Sequence, residues 1–390
     1  MTLREVIKES GLKQARLAED CGVSEATISQ LIRHGYLPKR RPEALLACLT
    51  EALVKAGVDA GSVKEALEHL TAAPSTTDSP DTGDDTQEQI AMILKRQSMT
   101  QQARQTFGLL RDPFDDPQTP EAVYLSPQSR YVREAMRDAA VNGNFLAVVG
   151  QSGSGKSTLK SELCEYLTEN EKSVIVIEPY VLTMALTDNG AGKPMKTHHI
   201  IEAIINKVEP SAKTNGSQEL MSQRVHDVLI RSTRTAKKHV LIIEEAHDLH
   251  TQTLKALKRF WELKDGMKRL LSIILIGQTE LGDRLQRASA DVREVVQRCD
   301  VVTLPPLPDI GEFIRHRFAS AGMDADAIFT EDAMDELRQR LIVGKDKTGK
   351  GEDMAYPLAV SNLATCCINF AAKNGLRHVD ADVVRTAQVQ

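Results

Sequence analysis

The residues best suited to chemistry in this sequence lie in one glycine-rich stretch. The segment from Gly150 to Ser157 satisfies the pattern G-x-x-x-x-G-K-[ST], with an apolar run before it and a helical pattern after it. In such a loop, glycines let successive backbone N–H groups point at phosphate oxygens, and the following helix N-terminus adds a favourable dipole. The pattern predicts a phosphate-binding loop made of Gly150, Gln151, Ser152, Gly153, Ser154, Gly155, Lys156, Ser157 and Thr158. The alternative is an accidental match in a Gly/Ser-rich loop.

The side chains of this loop predict a nucleoside triphosphate ligand. Lys156 would reach the β- and γ-phosphates, and the hydroxyl of Ser157 would hold Mg²⁺. A second lysine- and glycine-rich stretch, residues 344–351, lacks the final Ser/Thr and has no buried strand before it. We therefore interpret residues 344–351 as a solvated loop, and we expect ATP and Mg²⁺ at residues 150–158.

Two adjacent acids supply the second half of a nucleotide-hydrolysing site. Glu244 and Glu245 follow an apolar run at positions 239–243. In such a pair the first acid supports Mg²⁺, directly or through water, and the second polarises the attacking water. The alternative is a pair of solvated carboxylates at the end of a strand. His247 and His250 lie nearby, but without an H-E-x-x-H pattern they are a weak signal for a structural metal site.

The spacing of apolar runs predicts an α/β fold around these residues. Short β-branched runs at 173–177, 239–243, 271–276 and 301–304 alternate with helical patterns, as in a parallel sheet that binds its ligand at the carboxyl ends of the strands. A helix is expected at about 88–105. From residue 309 onward the sequence is helical, with Thr330 and Asp380 as helix caps, and predicts a small lid.

The N-terminal residues predict a separate all-α DNA-binding domain. Residues 13–33 resemble the helix-turn-helix of the phage repressor and Cro type, with Gly22 at the turn and Ser24 capping the second helix. That resemblance implies DNA contacts from Gln14, Glu25, Ala26, Ser29, Gln30 and Arg33. The alternative is a small helical module that docks onto another protein.

Composition predicts how these parts are joined and where the protein resides. Residues 71–87 are acidic and almost without apolar side chains, which is typical of a flexible linker. The predicted domains are therefore 1–70, the linker 71–87, the nucleotide-binding core 88–308 and the lid 309–390. The net charge of -5 argues against a wholly basic nucleic-acid coat. Six cysteines without CxxC spacing, and no apolar run of membrane-spanning length, favour a reducing cytoplasm and predict no membrane association.

The chemical motifs together resemble the AAA+ ATPases. In that family Gly150 to Ser157 is the Walker A motif, residues 243–245 are Walker B, and Gln278 is in the sensor 1 position. The resemblance implies that Arg298, or else Arg293, is an arginine finger acting on a neighbouring subunit, so a ring or helical homo-oligomer is expected. For Arg298 the alternative is an ordinary surface or ion-pair role.

Within that superfamily, residues 105–390 are similar to the bacterial ExeA-like ATPases and to the transposition ATPases of the phage Mu B and TniB kind. The likeness is in the Phe-Gly-Leu and Asp-Pro-Phe segments at 107–114, the Glu-Glu-Ala-His segment at 244–247, and Gly277 with Gln278. Two positions depart from the family. Glu244 replaces the usual Asp, and no Arg follows Pro357, so a sensor 2 arginine is not expected.

With the N-terminal helix-turn-helix, the resemblance implies an ATP-dependent protein of DNA transposition. Such a protein oligomerises on double-stranded DNA, delivers it to a transposase, and is released by ATP hydrolysis. Two alternatives stay open: a nucleotide-switched transcription regulator and an ExeA-like secretion accessory ATPase. Within the core, the candidate DNA contacts are Lys193, Lys196, Lys255, Lys258 and Arg259, and a solvated charged face would explain the same residues.

Overall fold

The computed structural model describes residues 16–17, 21, 42–56, 63, 90–179, 195–212, 216–286, 297–344 and 351–387. The chain divides into two compact units, residues 1–82 and 83–390. In the first unit, helix α1 (Pro42–Lys55) buries Leu45, Leu49 and Leu53 on one face. Most of the predicted helix-turn-helix and all of the predicted linker lie outside the described residues.

Residues 83–390 contain nine described strands, eleven further α-helices, two short 3₁₀-helices and a helical stretch at 90–94. The strands are β1 (Phe145–Gly150), β2 (Val174–Ile177), β3 (Lys238–Ile243), β4 (Lys264–Asp265), β5 (Lys268–Arg269), β6 (Ser272–Gly277), β7 (Asp300–Leu304), β8 (Ile342–Val343) and β9 (Glu352–Asp353). The helices are α2 (Gln101–Phe107), α3 (Pro127–Asn142), α4 (Lys156–Asn170), α5 (Thr197–Val208), α6 (Gln218–Arg234), α7 (Thr251–Trp261), α8 (Thr279–Gln286), α9 (Ile310–Ser320), α10 (Glu331–Arg340), α11 (Pro357–Lys373) and α12 (Ala381–Thr386).

A five-stranded parallel sheet organises this unit. Its strand order is β2-β3-β6-β1-β7, and every neighbouring pair is parallel. The strands are almost continuous apolar runs because helices cover both faces of the sheet. The predicted α/β class is confirmed, and the strands lie within one residue of their predicted bounds at each end.

The two faces of the sheet bury alternate residues of each strand, as the two-residue period of a strand requires. On one face, Phe145, Ala147 and Val149 pack with α5, α6, α7 and α8. On the other face, Leu146 and Val148 pack with α3 and α4. The two cores therefore bury both faces of the sheet and leave the carboxyl ends of its strands at one edge.

The helices after residue 309 pack into a third core together with α2. The final helix is capped as predicted, because the Asp380 side chain accepts a hydrogen bond from the Val383 N–H. Thr330 precedes α10 but does not cap it: its hydroxyl donates to the carbonyl of Val379 at 3.2 Å. No helix among the described residues is long and apolar enough to cross a membrane.

The prediction of a single helix at 88–105 is wrong. Residues 95–100, between the helical residues 90–94 and α2, are not helical. Two asparagines of α11 hold this break. The Gln97 N–H donates to the side-chain oxygen of Asn362 at 3.1 Å, and the Thr100 N–H donates to that of Asn369 at 2.9 Å. These bonds replace helical ones, and the Thr100 hydroxyl then caps α2.

Two short antiparallel hairpins are absent from the sequence-based interpretation. One pairs β4 with β5 between α7 and β6, and the other pairs β8 with β9. The stretch 344–351, predicted to be a solvated loop, connects β8 to β9. Of that stretch only Gly344 and Gly351 are among the described residues.

Candidate nucleotide-binding site

The glycine-rich loop leads directly from a buried strand into a helix. β1 ends at Gly150 and α4 begins at Lys156. Gly153 and Gly155 have φ angles of +75° and +93°, a region that glycine enters readily and other residues rarely adopt. The loop therefore needs glycine at these two positions, and its shape leaves the N-terminus of α4 facing the carboxyl edge of the sheet.

The Lys156 ammonium lies inside the curve of this loop. Its Nζ donates hydrogen bonds to the carbonyl oxygens of Gly150 and Gln151, both at 2.8 Å. Burial lowers the pKa of Lys156, while Glu245 and Glu280 act in the opposite direction. The loop thus holds a desolvated cation where a phosphate group would be bound.

A cavity of about 420 Å³ opens beside the loop at the carboxyl edge of the sheet. Lys156, Ser157, Glu245 and Gln278 all line it. Glu245 follows β3 and Gln278 follows β6, and these strands are neighbours, so the topology brings the side chains together. The structure therefore gathers residues that the sequence places more than 120 positions apart.

His247 is hydrogen-bonded to the backbone of Gln278 and lies close to the carboxylate of Glu245. Glu245 has a left-handed backbone (φ 50°) and a half-exposed side chain, and its Oε2 lies 3.4 Å from His247 Nδ1. The same nitrogen accepts a hydrogen bond from the backbone N–H of Gln278 at 3.4 Å. Arg284 of α8 donates to the carbonyl oxygens of His247 and Leu249, which fixes the turn after β3. The sequence signalled His247 only as a weak metal ligand and gave no signal for Arg284.

The side chain of Glu244, unlike that of Glu245, does not line the cavity. Its Oε2 accepts a hydrogen bond from Lys160 Nζ at 3.0 Å, and the same ammonium is 2.8 Å from Glu178 Oε1. Burial alone would lower the pKa of Lys160, but the hydrogen bonds to Glu178 and Glu244 outweigh it and raise that pKa. The sequence analysis missed Lys160 and Glu178 because no motif includes them.

The oxygen ligands offered by Ser157 and the acid pair suit Mg²⁺ better than a transition metal. The hydroxyl of Ser157 and the carboxylate of Glu245 line the cavity and Glu244 is adjacent in sequence. All three are hard oxygen ligands, and Mg²⁺ on a nucleotide needs only one or two carboxylates, with water and phosphate completing its shell. Among the described residues no cluster of three or more His, Cys, Asp or Glu side chains is placed to hold a metal ion. His247 and His250 therefore form no metal site with their described neighbours.

Several aromatic and aliphatic side chains also line the cavity, and sequence reasoning missed them. Phe114, Tyr124, Leu307 and Phe313 are among the residues that line it. The buried Arg317 of α9 also lines it and donates to the carbonyl oxygens of Asp115 and Ala122, at 3.2 Å in the case of Ala122. The Asp-Pro-Phe segment at 112–114 was noted for its family likeness, and the structure places it against the cavity.

The lid contacts the loop directly. The N–H of Leu358, at the start of α11, donates to the carbonyl of Gly153 at 3.2 Å, and the Gln151 side chain lies 3.4 Å from Glu352 of β9. The first turn of α11 carries no arginine, as the sequence shows. Among the described residues, Arg96 and Arg317 are the arginines that line the cavity.

Arg298 lies at the opposite edge of the sheet from the loop. It precedes β7, whose first residue Asp300 pairs with Leu146 near the start of β1, whereas the loop follows the end of β1. Its half-exposed guanidinium is 3.8 Å from Glu262 Oε1. Arg298 cannot reach the nucleotide cavity of its own chain, since β1 alone spans roughly 20 Å. Arg293 is outside the described residues.

The predicted DNA contacts are placed only in part. Lys196 precedes α5, and Lys255, Lys258 and Arg259 lie on α7, whose apolar face packs against the sheet. Lys258 Nζ is 3.6 Å from Glu262 Oε1. The remaining candidates lie outside the described residues: Gln14, Glu25, Ala26, Ser29, Gln30, Arg33 and Lys193.

The chain is similar to a protein family, to a relative in sequence and to several solved structures. The protein family described as "AAA domain" matches residues 139–285. "General secretion pathway protein A" of Aeromonas hydrophila is 27% identical over 243 residues, which are 60% of this chain and 41% of that protein. The chain thus matches about two fifths of that relative's length.

Among solved structures, the ORC2 protein of Aeropyrum pernix superposes with a TM-score of 0.44 and 16% identity, covering 71% of each chain. Cdc6p from Pyrobaculum aerophilum gives a TM-score of 0.48 and 12% identity, covering 69% of this chain and 68% of that one. Residues 139–285, which include β1, the loop and the acid pair, match the AAA domain family, and the parallel sheet has the α/β class of the P-loop AAA+ fold.

Proposed function

We propose, from the AAA domain that residues 139–285 form, that this protein binds and hydrolyses ATP. The supporting observation is that Lys156, Ser157, Glu245 and Gln278 line one cavity beside a loop that requires its glycines. The reaction converts ATP and water to ADP and phosphate. The aromatic side chains that line the cavity, Phe114 among them, offer apolar surface against which a base could pack.

Each residue then has a defined task. The N–H groups of the loop and the Lys156 ammonium bind the β- and γ-phosphates, and the Ser157 hydroxyl with Glu244 would hold Mg²⁺. The bound Mg²⁺ would supply positive charge that stabilises the negative charge developing on the phosphate during hydrolysis. Glu245 polarises the attacking water and accepts a proton from it. Gln278 orients that water or the γ-phosphate.

The position of Arg298 supports an oligomer. A guanidinium at the far edge of the sheet can serve only the nucleotide of another copy of the chain. We therefore propose that Arg298 is the arginine finger of a neighbouring subunit in a ring or helical filament. ATP would close the interface between subunits and hydrolysis would open it.

The partner that we propose is double-stranded DNA, delivered by the oligomer to a transposase. Support comes from the helix-turn-helix pattern of residues 13–33 and from the lysines of α7. Electron microscopy with ATP and duplex DNA tests this directly. A nucleotide-dependent ring or filament on DNA is expected, and bare DNA under the same conditions would contradict the proposal. Footprinting of the DNA separates this function from that of a transcription regulator, for which a discrete protected palindrome is expected.

A second candidate is an accessory ATPase of protein secretion. The similarity to general secretion pathway protein A over 243 residues favours it. The stimulation of ATP hydrolysis separates the two functions. Duplex DNA is expected to accelerate hydrolysis by a transposition ATPase, with an effect that falls steeply as salt rises. Hydrolysis that is indifferent to DNA at low salt would favour the secretion role.

A further inference from the structure

The ammonium of Lys160 lies between two carboxylates, one of which belongs to the acid pair. Lys160 Nζ is 3.0 Å from Glu244 Oε2 and 2.8 Å from Glu178 Oε1. Its side chain is 19% exposed, so water screens these contacts less than it would at an open surface. Lys160 is one turn along α4 from Ser157, on the helix that begins at the phosphate-binding loop.

The length of Glu244 matters for this contact. An Asp side chain is one carbon–carbon bond, about 1.5 Å, shorter and would not reach Lys160 at hydrogen-bonding distance from the same backbone. The extra methylene also lets the carboxylate turn away from the cavity, which Glu245 lines and Glu244 does not. The length of the Glu244 side chain therefore fits the position of Lys160.

We infer that Lys160 is a positioning residue that holds Glu244 outside the cavity, and that Lys160 and Glu178 together set how strongly ATP binding depends on Mg²⁺. This inference rests on the proposed ATPase function. Glu244 is shared between two cations, the ammonium and the metal that Ser157 would hold. Glu178 competes with Glu244 for the ammonium and so loosens its hold on Glu244.

The two variants that test this have opposite expected effects. The quantity to measure is the ratio of two dissociation constants for a non-hydrolysable ATP analogue, the one in EDTA divided by the one in excess Mg²⁺. Lys160→Met removes a cation and releases Glu244, so the ratio is expected to rise about fivefold, the scale of two unit charges about 4 Å apart in water. Glu178→Gln leaves Glu244 as the only carboxylate partner of the ammonium, so the ratio is expected to fall by a similar factor.

Three controls make the result specific. Lys160→Arg keeps the cation and is expected to restore the wild-type ratio. Lys172→Met removes an exposed lysine from the turn before β2, at the opposite edge of the sheet, and is expected to leave the ratio unchanged. Since Glu178 is half-exposed, Glu178→Gln keeps the test valid even if Lys160→Met does not fold.

The outcomes are distinct. Ratios that move in opposite directions in the two variants support the inference. A ratio within twofold of wild type in both variants, or a shift in the same direction in both, overturns it while leaving ATP binding intact. Failure of the wild-type chain to bind the analogue at all would instead overturn the proposed function, and this inference with it.

Discussion

The backbone N–H of Leu358 donates a hydrogen bond to the carbonyl oxygen of Gly153 across 3.2 Å. This bond joins the start of α11 to the middle of the phosphate-binding loop. A Cβ on Gly153 would lie only 2.5 Å from the Cβ of Leu358, so the two backbones are in close contact. The middle of the phosphate-binding loop therefore packs directly against the first turn of α11.

Gly153→Ala is expected to destabilise the protein more than Gly155→Ala. Both positions have positive φ, which costs a residue with a Cβ roughly 1 kcal/mol. Only Gly153 adds a steric clash with Leu358, worth about 1 to 3 kcal/mol, because a Cβ on Gly155 meets nothing within 4 Å. Urea unfolding of the two variants without nucleotide measures the difference. Equal free energies of unfolding would show that the contact with α11 is loose.

Arg298→Ala is expected to bind ATP normally but to hydrolyse it roughly 10³- to 10⁵-fold more slowly. Because we propose that Arg298 acts on a neighbouring subunit, mixing Arg298→Ala with inactive Lys156→Ala should restore part of the activity, since mixed interfaces contain one intact site. Phosphate release from the mixture measures this. Glu262→Gln, which breaks the ion pair but keeps the arginine, is the control and should remain active. An inactive mixture of folded subunits would argue against action between subunits.

The sheet and the loop could be predicted because each depends on local pattern. The apolar runs of β3 and β6 have the length and residue types of buried strands. The loop matches a motif whose glycines, lysine and serine bind phosphate. Parallel strands then place Glu245 and Gln278 at one edge without any knowledge of side-chain contacts. This much of the site followed from the sequence.

The rest depends on contacts between distant residues. The break after residue 94 exists because Asn362, some 270 positions later, accepts a hydrogen bond from Gln97. Likewise, the partner of Glu244 is Lys160, 84 positions earlier, and no motif links them. Local propensity favours one continuous helix at 88–105, and tertiary hydrogen bonds override it.

Arg317→Met is expected to destabilise the protein by about 2 to 3 kcal/mol, because two carbonyl groups lose a charged donor in a buried setting. Burial lowers the pKa of Arg317, which shows how far the guanidinium is removed from water. The affinity for ATP should also fall, since the segment that Arg317 holds lines the cavity. Calorimetric unfolding and ATP titration measure both effects.

The matched control for Arg317 is Arg315→Met on the same helix. Arg315 is exposed and pairs with Asp326 at 2.8 Å. An exposed ion pair contributes at most about 1 kcal/mol. If both variants were destabilised equally, the role assigned to Arg317 would be wrong.

His239 is expected to make the protein less stable as pH falls below about 6.5. The ring is buried in β3, between the carbonyl of Leu270 at 3.0 Å and the hydroxyl of Ser232 at 2.8 Å, and burial lowers its pKa. The folded state then binds fewer protons than the unfolded state, so the stabilisation is complete above the unfolded pKa and is lost as pH falls towards the folded pKa.

A comparison of the wild type with His239→Gln checks this sign. The free-energy difference between them should shrink between pH 7.5 and pH 5.5, because only the wild type contains the titrating ring. A difference that is constant over this range would show that His239 does not titrate on unfolding.

The most direct test of the central claim is phosphate release from Mg·ATP by the wild-type chain and by Glu245→Gln at equal ATP occupancy. The wild type is expected to turn over. The variant is expected to bind ATP with similar affinity and to release phosphate at least about 100-fold more slowly, the usual contribution of a general base. Equal rates in the two proteins, or no affinity of the wild type for ATP, would contradict the account.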